Sequence, residues 1–183
     1  PYRGVLEEAL PEYEKSKKVL ILENALDEEI ADALWNKIEE LGGTDKEIVR
    51  KVIGTEFDIA NLMTLLRCKS EEIAEAEMRK YFLPYVYAFD FNADAVKDAI
   101  SAEDVSTAIQ LMPPSAYKEV LTGALSAYEA DKSLIPFEHA LSRYFVATIK
   151  NTLRGYPINI GTIIAFLYLK DIEIRNICTI AVC

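Results

Sequence analysis

Phe57-Asp58-Ile59-Ala60-Asn61-Leu62-Met63-Thr64-Leu65-Leu66-Arg67-Cys68-Lys69 is the stretch whose reading decides the fold. It returns in altered form as Asn159-Ile160-Gly161-Thr162-Ile163-Ile164-Ala165-Phe166-Leu167-Tyr168-Leu169-Lys170, at an offset of 101 (159 − 58). The same offset carries Glu72 and Ile73 onto Glu173 and Ile174, and Ile59, Leu66 and Lys69 are identical in both copies. A pattern recurring at a fixed offset predicts a duplicated unit. Asp58 opens an apolar run, and Asn159 follows Gly155-Tyr156-Pro157-Ile158, which breaks a preceding helix. Asp and Asn are near-equal helix N-caps, because either side-chain oxygen accepts from a free N–H in the first turn. Both positions are therefore predicted to be N-caps. An acidic site at Asp58 is the competing reading, and the asparagine in the second copy counts against it.

The helices that follow are apolar on most sides, as in a buried helix. Charges cluster later, at Lys69, Glu71, Glu72 and Glu75, and again at Lys170, Asp171, Glu173 and Arg175. Each repeat helix is predicted to start inside a bundle and end in water. The shared Lys-x-x-Glu spacing gives a surface pair of only about 0.2–0.5 kcal/mol, so its recurrence records duplication rather than chemistry.

Outward from this stretch the chain reads as helix throughout. Val5 to Tyr13 is a short helical pattern interrupted by Pro11, and Val19 to Leu22 is a separate apolar stretch. Asp27 to Leu41 is an amphipathic helix by its spacing, ended by Gly42-Gly43. Thr44 with Glu47 forms a capping box for a short helix closed by Gly54-Thr55. Tyr81 to Tyr87 is rich in β-formers but contains Pro84, and is predicted to be an extended or single-turn connector whose aromatics pack on the helices. Asn92–Ala99, Ser101–Leu111, Ser115–Ala130 and Leu134–Arg154 are predicted helices, Pro113-Pro114 separating the second from the third. Glu23-Asn24-Ala25-Leu26 matches Glu138-His139-Ala140-Leu141 at an offset of 115 (138 − 23). The longer offset is explained if the first copy alone carries a short helix between Gly43 and Phe57. No strand alternates with these helices, so the fold class is all-α, built from pseudo-repeated helical bundle units. The expected divisions are residues 1–22 as a connector from a preceding repeat, 23–112 as one repeat with its signature helix over 58–73, and 113–183 as another with its signature helix over 159–174. The start at Pro1 and the stop at Cys183 inside an apolar run suggest part of something longer.

Composition narrows the function. Hydrophobic residues make up 51% and charged residues 27% of the 183, which excludes a disordered chain. The net charge of −10 argues against a nucleic-acid binder and against docking on anionic lipid through charge. Cys68, Cys178 and Cys183 form no CxxC motif, which points to a reducing, intracellular compartment. No signal peptide is visible, and no charge-free run reaches the roughly 18 residues of a membrane span. With His139 the only histidine, neither a zinc set nor a Ser/His/Asp triad can be assembled, and no phosphate-binding glycine loop occurs. No cofactor, metal or small-molecule substrate is therefore expected. Trp35 and the Tyr81–Tyr87 aromatics are either interface anchors or, more commonly, core.

The stretch Phe57 to Lys69 resembles the signature of the C subunits of archaeal and bacterial A/V-type ATP synthases, whose eukaryotic counterpart is the d subunit of the V-ATPase. The segment from Ile158 through Arg175-Asn176, with Thr179-Ile180-Ala181, is similar to that family's last repeat. The resemblance is specific in the signature helices and loose between them. It implies a family about twice this length, with three repeats arranged as a helical funnel, of which this chain would hold the middle and last. It further implies a non-catalytic rotor protein in the central stalk, on the cytoplasmic face of the cell membrane. Such a protein would sit on the proteolipid ring, receive the central shaft and pass torque between them. Proton and sodium transport, and synthesis and hydrolysis of ATP, stay equally open. The alternative is a helical-repeat scaffold in another complex, which the 101-residue offset disfavours because ordinary solenoid repeats span about 20–50 residues. The structural and interface candidates are Glu23, Asp58, Arg67, Lys69, Glu138, Asn159, Lys170, Glu173, Arg175 and Asn176. Within them, Glu23 is expected to pair with Arg67 across two helices. Gly42–Phe57 and the segment Lys170–Asn176 are expected to form the gripping surfaces, a tolerated surface loop being the equal alternative for the first.

Overall fold

The computed structural model describes residues 2–17, 19–91, 93–154 and 159–182, and every regular element among them is helical. Helix α1 (Arg3–Ser16) and α2 (Leu20–Glu39) form a hairpin turned by Lys17, whose φ of 58° is left-handed and whose N–H bonds to the Tyr13 carbonyl at 2.7 Å. That is a helix C-cap made without glycine. Helix α2 takes in the apolar residues at 20–22 and does not begin at Asp27. Pro11 lies inside α1 without ending it.

Helix α3 (Gly43–Ser70) is the spine, 28 residues and roughly 42 Å long. Thr44–Thr55 is not the surface insertion, with its own cap and stop, that the sequence suggests. The helix runs straight through Gly54-Thr55 into the signature. A helical glycine costs only about 1 kcal/mol, and burial of Val49, Val52, Ile53, Phe57 and Leu62 outweighs it. The Thr55 hydroxyl donates to the Lys51 carbonyl at 2.6 Å, so it adds no competing turn.

After α3, Glu72 adopts a φ of 54°, and the chain leaves the helix. Helix α4 (Glu75–Met78) and a 3-10 turn at Arg79–Tyr81 lead into an irregular connector that runs to Phe91, as expected. Then follow α5 (Asp94–Ser101), α6 (Val105–Leu111), α7 (Ala116–Asp131), α8 (Ile135–Thr152) and α9 (Ile160–Val182). Asp104 caps α6 through the Thr107 N–H at 2.8 Å, and Ser115 caps α7 through the Lys118 N–H at 3.2 Å. The main core lies where Leu62, Leu65 and Leu66 of α3 meet Ile100, Leu121 and Phe137. A second cluster joins Ala31 and Ile38 of α2 to Val49, Ile53 and Phe57, and a third joins Val52 to Ile149 and Ala165. All three clusters use α3. The expected start of α5 at Asn92 and the break at Gly155-Tyr156-Pro157-Ile158 fall outside the described residues.

The two signature copies occupy different places in their helices. Asn159 does cap α9, its Oδ1 accepting from the Thr162 N–H at 3.2 Å. Replacing Asn159 by alanine should therefore cost about 0.5–2 kcal/mol, and by aspartate much less, which chemical denaturation of both variants would check. Asp58 is not a cap. It lies well inside α3 and is fully buried.

Candidate functional site

Gly54, Asp58 and Asn61 are spaced i, i+4, i+7 and so share one face of α3. The connector lies along that face. Asn61 both donates to the Leu83 carbonyl (Nδ2 to O, 3.0 Å) and accepts from the Leu83 N–H (2.7 Å), as a neighbouring strand would. Asp58 accepts from the Tyr87 N–H at 3.0 Å, the Ala88 N–H at 2.8 Å and the Tyr117 hydroxyl at 2.9 Å. At Gly54 a Cβ would fall 2.5 Å from the Tyr87 Cβ, so the glycine is what lets the connector approach. Trp35 stacks on Tyr85 with ring centroids 5.0 Å apart and receives the Arg50 guanidinium at 5.2 Å on its ring, which ties the connector to α2 as well. Trp35, Tyr81, Phe82 and Tyr85 are thus part-buried against the helices, whereas Tyr87 is 46% exposed.

Burial pushes the Asp58 carboxyl above its ordinary range, against the N–H groups of Tyr87, Ala88 and Phe89 and the Tyr117 hydroxyl, which favour the ionised form. Burial, and then the Asp58 charge, raises the Tyr117 phenol in turn. A second internal carboxyl, Glu56, accepts from the Tyr168 hydroxyl between α3 and α9 and is raised by burial too. Sequence reasoning missed Glu56, Tyr117 and Tyr168, which have no local signature. It also missed Gly54 and Asn61, although their spacing from Asp58 was legible.

Arg67 does not meet Glu23. Its Nη2 bonds to Glu138 Oε1 at 2.8 Å, so α3 is tied to α8 instead of α2. Glu138 is the residue that the 115-residue offset makes the counterpart of Glu23, and Glu23 remains exposed on α2 beside a groove. Both partners of the pair are roughly half exposed (58% and 44%), so its coupling should be small. A double-mutant cycle on Arg67 and Glu138 is expected to return about 0.2–1 kcal/mol, and one on Glu23 and Arg67 close to zero.

Lys69 sits half-buried in the last turn of α3, with burial lowering its amine below the ordinary value. No Lys69–Glu72 ion pair forms among the described residues, because Glu72 has left the helix. The second copy behaves otherwise. Lys170 pairs with Glu173 at 2.6 Å, and Arg175 with Asp171 at 2.5 Å, on one continuous helix. These residues and the exposed Asn176 lie along α9, not at a loop tip. Around them the helix shows large apolar side chains to the outside, including Ile163 (61% exposed), Leu167 (60%) and Ile180 (78%). Beyond Ile172 every residue of α9 whose side chain is described is exposed. No helix among the described residues is long and apolar enough to cross a membrane, and no group of three or more His, Cys, Asp or Glu among them could hold a metal ion.

Residues 1–183 match the family model described as ATP synthase (C/AC39) subunit. The chain is 34% identical over 180 residues to the C subunit of the A-type ATP synthase of Methanobrevibacter smithii, covering 98% of this chain and 46% of that protein. It is 31% identical over 181 residues to the Methanosphaera stadtmanae protein of the same name, covering 99% and 46%. Against the Methanocaldococcus jannaschii protein, also of that name, identity is 28% over 176 residues, covering 96% and 43%. The chain thus spans about half the length of the curated relatives it matches. No solved structure shows significant similarity to it.

Proposed function

Since the chain belongs to the ATP synthase (C/AC39) subunit family, we propose that it serves as a non-catalytic central-stalk element of an A-type ATP synthase. In this reading it links the central shaft to the membrane proteolipid ring. It passes torque between them while proton or sodium transport is coupled to ATP synthesis or hydrolysis. It lies on the cytoplasmic face and meets the membrane only through the ring. The division into residues 1–22, 23–112 and 113–183 as successive units belongs to the same reading.

The observation that carries it is the contrast between a braced interior and an uncovered flank. The three core clusters all meet on α3, and the connector is held by side chains of that helix. The outside of α9 leaves a run of large apolar residues uncovered. Contiguous exposed apolar surface on a folded domain marks an interaction site, and a rigid body with uncovered contact surface is what a mechanical coupler requires. Among the candidates, Lys170, Glu173, Arg175 and Asn176 are assigned to contact surface. Asp58, Arg67, Glu138 and Asn159 are assigned to internal bracing, as is Lys69, and Glu23 lines the α2–α3 groove.

The test is reconstitution. A complex stripped of its own C subunit should regain association between ring and shaft when a full-length protein bearing this sequence is added, and ATP hydrolysis should again drive ion transport. Hydrolysis that stays uncoupled, with no copurification of ring or shaft proteins, would overturn the proposal.

A further inference from the structure

Asp58 is wholly buried by the chain's own helices and connector, and among the described residues no lysine, arginine or histidine pairs with it. The titratable groups that face it are phenols, Tyr117 on α7 and Tyr144 on α8, with Tyr87 of the connector acting on Tyr144. The charged side chains next along these elements turn elsewhere. Glu56 meets Tyr168 of α9, and the Lys118 ammonium donates to the carbonyls of Gln110 and Met112. A carboxylate buried without a counter-charge is penalised by its burial and gains by taking up a proton.

The contacts around Asp58 accommodate the neutral acid. The Tyr87 N–H meets Oδ1 at 3.0 Å, while the Ala88 N–H and the Tyr117 hydroxyl meet at Oδ2, at 2.8 and 2.9 Å. A hydroxyl both donates and accepts. With a proton on Oδ2, the acid O–H donates to the Tyr117 oxygen, Oδ2 still accepts from Ala88, and Oδ1 still accepts from Tyr87. The Tyr117 O–H turns to Thr55, the other side chain that hydrogen-bonds it. Each buried group keeps a partner and the charge is gone. An amide cannot do the same, because its nitrogen does not accept from Ala88. The Tyr87 and Ala88 donors belong to the connector. Lifting it removes them and lets water reach the carboxylate, which then ionises as an ordinary one. The position of the connector and the proton on Asp58 are therefore linked.

We propose that residues 83–88 form a proton-linked strap, held most firmly on α3 while Asp58 is neutral and released more readily once Asp58 has given its proton to water. The strap depends on contacts within this chain and on no reading of its function.

The experiment is a titration of Asp58 by nuclear magnetic resonance in a full-length protein bearing this sequence. It is read at the Asp58 carboxyl carbon and at the Tyr87 and Ala88 amide protons, whose shifts follow the charge of the carboxyl they contact. In the unaltered protein Asp58 should titrate above the ordinary carboxyl value of about 4. Two variants loosen the connector without altering Asp58 or Tyr117. Gly54→Leu crowds Tyr87 from beneath, and Asn61→Ala removes both hydrogen bonds to Leu83. Where the connector resonances move, the proton affinity of Asp58 should fall by about tenfold or more. By reciprocity, the same factor is the gain in opening when the proton is lost. Asn61→Ala carries the test if Gly54→Leu does not fold. An unaltered Asp58 that titrates at or below the ordinary value would overturn the proposal. So would an affinity unchanged or raised in the variants, or connector resonances that move in neither.

Discussion

Replacing Asp58 by alanine is expected to destabilise the protein by about 2–4 kcal/mol, because the buried Tyr117 hydroxyl loses its acceptor at about 1–3 kcal/mol and two part-buried N–H groups lose theirs at about 0.5–1.5 kcal/mol each. The Tyr87 and Ala88 N–H groups and the Tyr117 hydroxyl all end on this carboxylate. Asp58→Asn should also cost about 1–3 kcal/mol, since an amide keeps one accepting oxygen and turns a donor toward a donor. A helix cap would give the opposite pattern, with asparagine nearly neutral. Urea denaturation of the two variants separates the cases. The pH dependence provides a second check. Burial raises the folded-state value of Asp58 above the ordinary carboxyl value, so the folded state holds its proton longer than the unfolded chain does. The contribution of this group is fully present below the ordinary value, near pH 4. It declines as pH rises through the raised value and is constant above it. Glu56 is shifted in the same direction and adds a slope of the same sign. Asp58→Asn should therefore flatten the decline without abolishing it.

Gly54→Leu is expected to cost about 2–3 kcal/mol through overpacking, and to displace the connector before it unfolds α3. The Cβ position is already 2.5 Å from the Tyr87 Cβ and 3.5 Å from its Cα, so the backbone of the connector must move. Gly54→Ala should be milder, because the helix gains about 1 kcal/mol of propensity in exchange. Trp35 is the only tryptophan and stacks on Tyr85 in the same connector. Its fluorescence should shift in Gly54→Leu at temperatures where the far-ultraviolet helical signal is intact. Loss of both signals together would show that the connector is not separately held by this face.

The all-α class and most helix positions were legible because apolar spacing, proline breaks and capping residues act over a few positions. Asn159 is a cap that the sequence shows directly, and the helix read as starting at Ser115 is capped by that residue. What was illegible depended on tertiary partners. Gly54-Thr55 has the composition of a helix stop, and only the burial of its neighbours on two sides carries α3 through it. Asp58 stands where a cap would stand in the second copy, and nothing local says that a connector some 30 positions later will need its oxygens. The repeat offset was misleading about role. It set Asp58 equal to Asn159 and Arg67 equal to Tyr168, yet each of these residues has a different partner. Arg67 found a carboxylate, as its charge required. Of the two related glutamates, the packing of α8 against α3 chose Glu138 over Glu23, and no sequence rule distinguishes them. The segment Lys170–Asn176 was expected to be a charged tip, and it lies instead along a continuous helix. The apolar residues around it were present in the sequence, but only their exposure in the structure separates them from a buried stripe.

The paired hydrogen bonds between Asn61 and Leu83, with the two N–H hydrogen bonds to Asp58, have a kinetic consequence. The amides of Leu83, Tyr87 and Ala88 belong to an irregular segment, where hydrogen exchange is ordinarily fast. Here their acceptors are side chains on α3, so these protons can exchange only when the connector lifts off the helix or the helix itself opens. These three loop amides should then exchange far more slowly than the unpaired amides of an irregular segment. A segment lacking regular structure would thereby carry protection ordinarily found inside helices, and its exchange rate would report how often it leaves α3.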